Sequence, residues 1–80
     1  MEKIEIYNDL LKCGISELDA KIVLDCIVKK SSCSWINNDD MKEGAEQKLN
    51  DYLKQYNLIA KIEQQPMTGR YIWEVKLLKR

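Results

Sequence analysis

Apolar side chains in the first third of the chain recur every three or four residues, which is the spacing of an amphipathic helix. This pattern predicts a first helix from Lys3 to Cys13, and Gly14 follows it where a helix end favours a residue that tolerates the left-handed conformation. Ser16 can cap the free amides of a second helix. That second helix is apolar over most of its surface, so we expect it to be the central and most buried one.

The helical pattern breaks between Lys29 and Asp40, where most side chains are polar. Two large apolar residues, Trp35 and Ile36, interrupt the polar run. We interpret this stretch as a loop that anchors both of them in the core.

A third region of helical spacing covers 36–56. Negative charge suits the N-terminus of a helix, so we expect Asn38, Asp39 or Asp40 to cap this region. Gly44 lies inside the region and weakens a helix at that point. The region therefore holds either one helix or two helices with a turn near Gly44.

The apolar period changes to two in the C-terminal third of the chain. Two alternating runs, 58–63 and 71–77, are separated by a loop that contains Pro66 and Gly69, and this arrangement predicts a β-hairpin. An isolated hairpin is marginally stable, so one face must pack on the helices. We expect that face to carry Tyr71, Trp73 and Val75. The predicted fold is α+β: a small three-helix or four-helix bundle followed by a C-terminal β-hairpin, in one domain over 1–80.

Composition restricts the environment and the partners of this domain. The 80 residues include 13 basic and 13 acidic side chains, and this balance argues against a strongly electrostatic binder of nucleic acid or membrane. No apolar run approaches the roughly 20 residues needed to span a bilayer. The 3 cysteines form no Cys-x-x-Cys pair and no leader opens the chain, which favours reduced thiols in a cytoplasmic protein. Cys13 and Cys26 are expected to act as small core residues, and Cys33 to lie in a polar loop.

Few residues offer catalytic or metal-binding chemistry. The chain has no histidine, which removes the commonest general base. Its 3 glycines are far apart and form no phosphate-binding loop. The cysteine spacing matches no zinc motif. We therefore predict a protein that is not an enzyme and that binds no metal or cofactor.

Three segments carry a resemblance to a known family. Residues 10–24, LLKCGISELDAKIVL, combine a Leu-rich helix end with a Gly-Ile-Ser-Glu turn and an Ala-Lys-Ile-Val-Leu helix. Residues 48–59, KLNDYLKQYNLI, run from a helix into a strand, and 69–73, GRYIW, follow the hairpin loop. Together they resemble the winged helix-turn-helix domain of TrmB-like transcriptional regulators. The chain departs from that pattern in 36–43, which is nearly all polar where a second helix is expected.

The resemblance implies a small winged-helix-like protein that binds double-stranded DNA and regulates transcription, in some arrangements as a homodimer. In that fold the helix before the hairpin enters the major groove, and the hairpin loop contacts phosphate or the minor groove. The implied contacts are Gln47, Asn50 and Lys54 from the helix and Arg70 from the wing.

The alternative is a protein-binding module on the same scaffold, either an adaptor or a phage- or plasmid-type inhibitor of a host protein. Balanced charge favours this hypothesis. Three apolar residues of the hairpin lie away from its expected core face or at its tip: Ile59, Met67 and Ile72. They predict an apolar patch or an edge strand that a partner can extend.

Overall fold

Three α-helices and a three-stranded antiparallel sheet make up the residues that the computed structural model describes, 2–38 and 41–78. In chain order the elements are α1 (Lys3–Lys12), α2 (Glu17–Lys29), β1 (Cys33–Asn37), α3 (Ala45–Leu53), a 3₁₀ turn (Lys54–Tyr56), β2 (Leu58–Gln64) and β3 (Tyr71–Leu77). The predicted α+β class is confirmed.

The helix ends follow the local chemistry of the sequence. The hydroxyl of Ser16 accepts a hydrogen bond from the backbone N–H of Asp19 at 3.2 Å, so the predicted cap of α2 is confirmed. The described part of 36–56 holds one α-helix, α3, and its N-cap is Gly44 with φ of 79°. The prediction that Asn38 caps this helix is wrong, and the other two candidates lie at 39–40, outside the described residues.

The sheet contains the predicted hairpin and one strand that we did not predict. Strands β2 and β3 pair antiparallel, and β1 pairs with the other side of β3, which gives the order β1-β3-β2. The interpretation of the stretch around β1 as a loop is therefore wrong. Ile36 does not enter the core either: its side chain is 57% exposed.

The core lies between the inner face of the sheet and the three helices. Trp73 is fully buried at its centre and stacks on Trp35 of the neighbouring strand, with ring centroids 4.9 Å apart. The helices supply Leu10, Val23 and Leu49 to the same cluster. As expected, α2 contributes heavily, because five of its residues are buried.

The cysteines pair in a way that we did not predict. Cys26 of α2 and Cys33 of β1 form a disulfide, because β1 returns the chain to α2 within seven residues. The expectation of reduced thiols is therefore wrong for these two, and Cys13 is a free, buried cysteine. Among the described residues, no helix has the length and apolar character needed to cross a membrane.

Candidate interaction surfaces

The outward face of α3 carries equal and opposite charges. Ala45, Leu49 and Leu53 are buried, so at 100° per residue the opposite face carries Gln47, Asp51 and Lys54. The Lys54 ammonium lies 3.4 Å from the Asp51 carboxylate, and both side chains are exposed. An acidic group therefore lies in the middle of the stripe that would approach phosphates if α3 entered a groove.

Asn50, which we predicted to contact DNA, faces β2. Its Nδ2 donates to the carbonyl of Ala60 at 2.9 Å, and its Oδ1 accepts from the N–H of the same residue at 2.7 Å. The carboxamide thus occupies both backbone groups of one residue, as a neighbouring strand would. These two hydrogen bonds link α3 to β2.

The hairpin loop holds Met67 and Arg70 on the surface. Two backbone hydrogen bonds of Gln65 close the turn: its N–H donates to the carbonyl of Arg70 at 2.8 Å, and its carbonyl accepts from the N–H of Gly69 at 2.9 Å. The Thr68 hydroxyl donates to the Gln65 side chain at 3.1 Å. Met67 is 99% exposed at the tip, so the predicted wing residue and the predicted apolar tip both face outwards.

The outer face of the sheet separates the other two predicted apolar residues. Ile59 lies opposite Lys76, whereas Ile72 lies four residues further along β3, about 13 Å away at 3.3 Å per residue. Two ion pairs occupy the interval, Lys61 with Glu63 at 3.8 Å and Lys76 with Glu74 at 2.9 Å. The three hairpin residues do not form a continuous patch.

Ile72 has a different apolar neighbour, a residue that we expected to lie in the core. Ile36 lies directly opposite Ile72 in the β1–β3 register. Both side chains point to the outer face, and Ile36 is among the most exposed large apolar residues of the described chain. Ile36 and Ile72 form what we call the apolar corner of the sheet.

The hydrogen-bonding direction of each strand follows from Asn50. Because both backbone groups of Ala60 bond to Asn50, they point away from β3, and the odd-numbered residues of β2 must bond to β3. The bond from Leu78 N–H to the carbonyl of Asn57 fits this alternation. In β3, the backbone N–H and C=O groups of Trp73 and of every second residue from it then point towards β1. There they bond to Trp35 and to every second residue from it.

The two edges of the sheet therefore differ. At the β2 edge, Asn50 covers Ala60, which is 2% exposed. At the β1 edge, the N–H and C=O groups of Ser34 and Ile36 point away from β3. No charged residue or proline lies within β1, so this edge lacks the side chains that usually discourage strand pairing.

A buried carboxylate fixes β1 on α2. Asp19 is fully buried, and its Oδ1 accepts hydrogen bonds from Trp35 Nε1 at 3.0 Å and from Asn37 Nδ2. The Cys26–Cys33 disulfide makes a second link at the start of the strand. Together they hold the open edge in an extended conformation. In the part of the chain that the structure describes, no cluster of three or more His, Cys, Asp or Glu side chains could hold a metal ion.

Comparisons with known proteins identify no function for these surfaces. Comparison of the chain with protein-family models, curated proteins and solved structures finds no match. We therefore infer function from the geometry of the open β1 edge, the apolar corner and the outward face of α3.

Proposed function

We propose that this chain is a protein-binding module, an adaptor or an inhibitor, that docks on its partner through the open edge of β1 and the apolar corner. The observation that carries the proposal is the exposure of Ile36, 57%, on a strand whose outward backbone groups belong to Ser34 and Ile36. A partner strand added there gains main-chain hydrogen bonds, and apolar side chains beside it supply specificity.

The contrast between the two edges supports this proposal. Asn50 closes the β2 edge at Ala60 with two hydrogen bonds. Among the residues that the structure describes, no side chain bonds in this way to the outward backbone groups of β1, although an uncharged exposed edge invites unwanted pairing in a folded protein. An edge that is left open beside exposed apolar side chains is typical of a surface that a partner covers.

Charge supports a protein partner over nucleic acid. The 13 basic and 13 acidic residues cancel, and beside the outward face of α3 the Lys54 ammonium pairs with the Asp51 carboxylate. Affinity for DNA depends mainly on cations that neutralise phosphates. A mixed-charge helix face suits a protein surface, which presents both signs.

Affinity capture with matched variants tests the proposal. Ile36→Asp places a charge on the apolar corner, and Ile59→Asp is the control because Ile59 is also exposed on the outer face but lies among the ion pairs. We expect the wild type and Ile59→Asp to retain the same binding partner, and Ile36→Asp to lose it. Equal retention by all three proteins, each folded by circular dichroism, would contradict the proposal.

A second candidate function is DNA binding by a winged-helix-like transcriptional regulator. The observation that favours it is the position of α3 directly before the hairpin, with Arg70 exposed at the base of the loop. On this hypothesis Gln47 and Lys54 remain available on the outward face, whereas Asn50 is engaged with Ala60.

A salt titration on random duplex DNA separates the two candidates. If DNA is bound, Arg70→Ala and Lys54→Ala should weaken binding and reduce its dependence on salt, and Asp51→Asn should strengthen binding because it removes an anion from the stripe. Absence of binding at low salt by the folded protein would rule out the DNA hypothesis.

A further inference from the structure

We propose that the occupant of the open β1 edge is a second copy of this chain, which adds its own β1 antiparallel and joins the two sheets into one of six strands. A two-fold axis passes beside Trp35, the central residue of β1. The inference rests on the proposed function, because it assigns a partner to the same edge.

The register of this pairing follows from the outward backbone groups. With Trp35 opposite its counterpart, Ser34 of each copy lies opposite Ile36 of the other, and all four of these residues direct their N–H and C=O groups across the axis. Each facing pair exchanges both of its N–H···O bonds. The small serine leaves room beside the isoleucine, so the two Ile36 side chains approach each other diagonally on the outer face.

The helix layer above β1 also presents apolar side chains to this edge. Asp19 and Cys26 mark the face of α2 that contacts β1, and Ile22, which is only partly buried, lies about 40–60° round the helix from them at 100° per residue. Leu18, one turn before Ile22, is 55% exposed. Leu24 lines a groove with residues of α1, and by helical phase Leu18 and Ile22 lie on the flank of α2 that faces away from α1.

The open β1 edge and the apolar side chains of α2 together favour a second copy over an isolated peptide as the occupant. A single added strand covers the backbone of Ser34 and Ile36 but leaves Leu18 and Ile22 in water. A second copy brings its own α2 to the same side of the sheet and covers them with its own Leu18 and Ile22. The added helix layer helps to reach the roughly 1,000 Å² that a specific interface requires.

The lysine residues before β1 favour antiparallel over parallel pairing of the two β1 strands. β1 itself is uncharged, and Lys29 and Lys30 precede it at one end only. Parallel pairing would place the lysine pairs of the two copies side by side. Antiparallel pairing about Trp35 places the lysine-bearing ends of the two β1 strands at opposite ends of the paired strands.

Sedimentation equilibrium over a range of protein concentrations tests the inference. We expect the wild type and Ile59→Asp to reach twice the 9.4 kDa mass of one chain. Ser34→Pro should remain monomeric, because proline removes an N–H that points outwards and leaves the bonds to β3 intact. Ile36→Asp should also remain monomeric. Circular dichroism verifies that each variant is folded.

The outcomes distinguish this inference from the proposed function. A wild type that stays monomeric at all concentrations overturns the dimer, and so does a dimer that both Ser34→Pro and Ile36→Asp leave intact. If the monomeric wild type still captures another protein in an Ile36-dependent way, the dimer fails and the proposed function stands. If neither self-association nor Ile36-dependent capture occurs, both fail.

Discussion

The hydrogen bonds of Asn50 lead to a quantitative prediction about stability. Asn50→Ala removes the donor and the acceptor that bond to Ala60. A net intramolecular hydrogen bond contributes about 1 kcal/mol, but a buried backbone group left without a partner costs about 1–3 kcal/mol. Because Ala60 is only 2% exposed, both of its groups are poorly placed to find water. We expect the free energy of unfolding to fall by about 3 kcal/mol.

Urea denaturation followed by circular dichroism measures this loss, and thermal unfolding should show a midpoint lower by roughly 10–20 °C. The control is Gln47→Ala on the outward face of the same helix, for which we expect a change within about 0.5 kcal/mol. A loss from Asn50→Ala no larger than that of the control would refute the reasoning. It would also return Asn50 to the residues available for a binding partner.

Three further predictions concern the titrating and cross-linking side chains. Replacing both Cys26 and Cys33 by serine should lower the free energy of unfolding by about 2–3 kcal/mol, since the disulfide closes a short loop; an unchanged urea midpoint would contradict this. Burial, and then the negative charge of Asp9, raises the pKa of the Cys13 thiol, so alkylation at pH 8 should be slow in the folded protein and fast in urea; equal rates would be inconsistent with that environment. Burial, and then hydrogen bonds to Tyr56 and Asp9, raises the pKa of Tyr52 above its ordinary value of 10.0. This phenol should stay protonated when unfolded tyrosine ionises, so that stability falls as pH rises above about 10. Absorbance at alkaline pH should then show Tyr52 ionising at higher pH in the folded protein than in urea, and the same titration in both states would refute this.

The hairpin was predictable because its signal is local. The alternation in 58–63 and 71–77 has the period of a strand with one buried face, and the loop between them carries Pro66 and Gly69. The capping hydroxyl of Ser16 was predictable for the same reason, since it acts within one helical turn. These features depend on neighbours in sequence.

β1 was not predictable from its own residues. The segment CSWIN holds two residues of high strand propensity between polar neighbours, and it becomes a strand because β3 lies beside it and Trp73 stacks on Trp35. The disulfide depends on the same placement, since a spacing of seven residues carries no pairing signal until β1 returns Cys33 to α2. A missed strand therefore led to wrong predictions for a cysteine pair and for Ile36.

The roles of single side chains in the candidate site also depend on neighbours that the sequence does not reveal. Polar residues on α3 look alike in the sequence, and Gln47 and Asn50 are equally suited to read a base. Only the position of β2 distinguishes them: Asn50 lies on the flank that meets Ala60, whereas Gln47 lies on the outward face. Helical phase identifies which residues share a face, but the neighbouring element decides what that face does.

The weak sequence signal of β1 and its proposed function have one physical origin. An edge strand in a monomer bonds on one side only, so β1 gains less from pairing than β3, which bonds to both neighbours. Buried links to α2 through Asp19 and Cys33 compensate for this and hold the strand extended without a second neighbour. β1 is held in place by α2, and Ser34 and Ile36 direct outwards backbone groups that bond to none of the described residues, so the strand is already ordered for a partner. β1 therefore does not have to be ordered when a partner binds, and this lowers the entropic cost of pairing at β1 relative to any flexible segment of the chain.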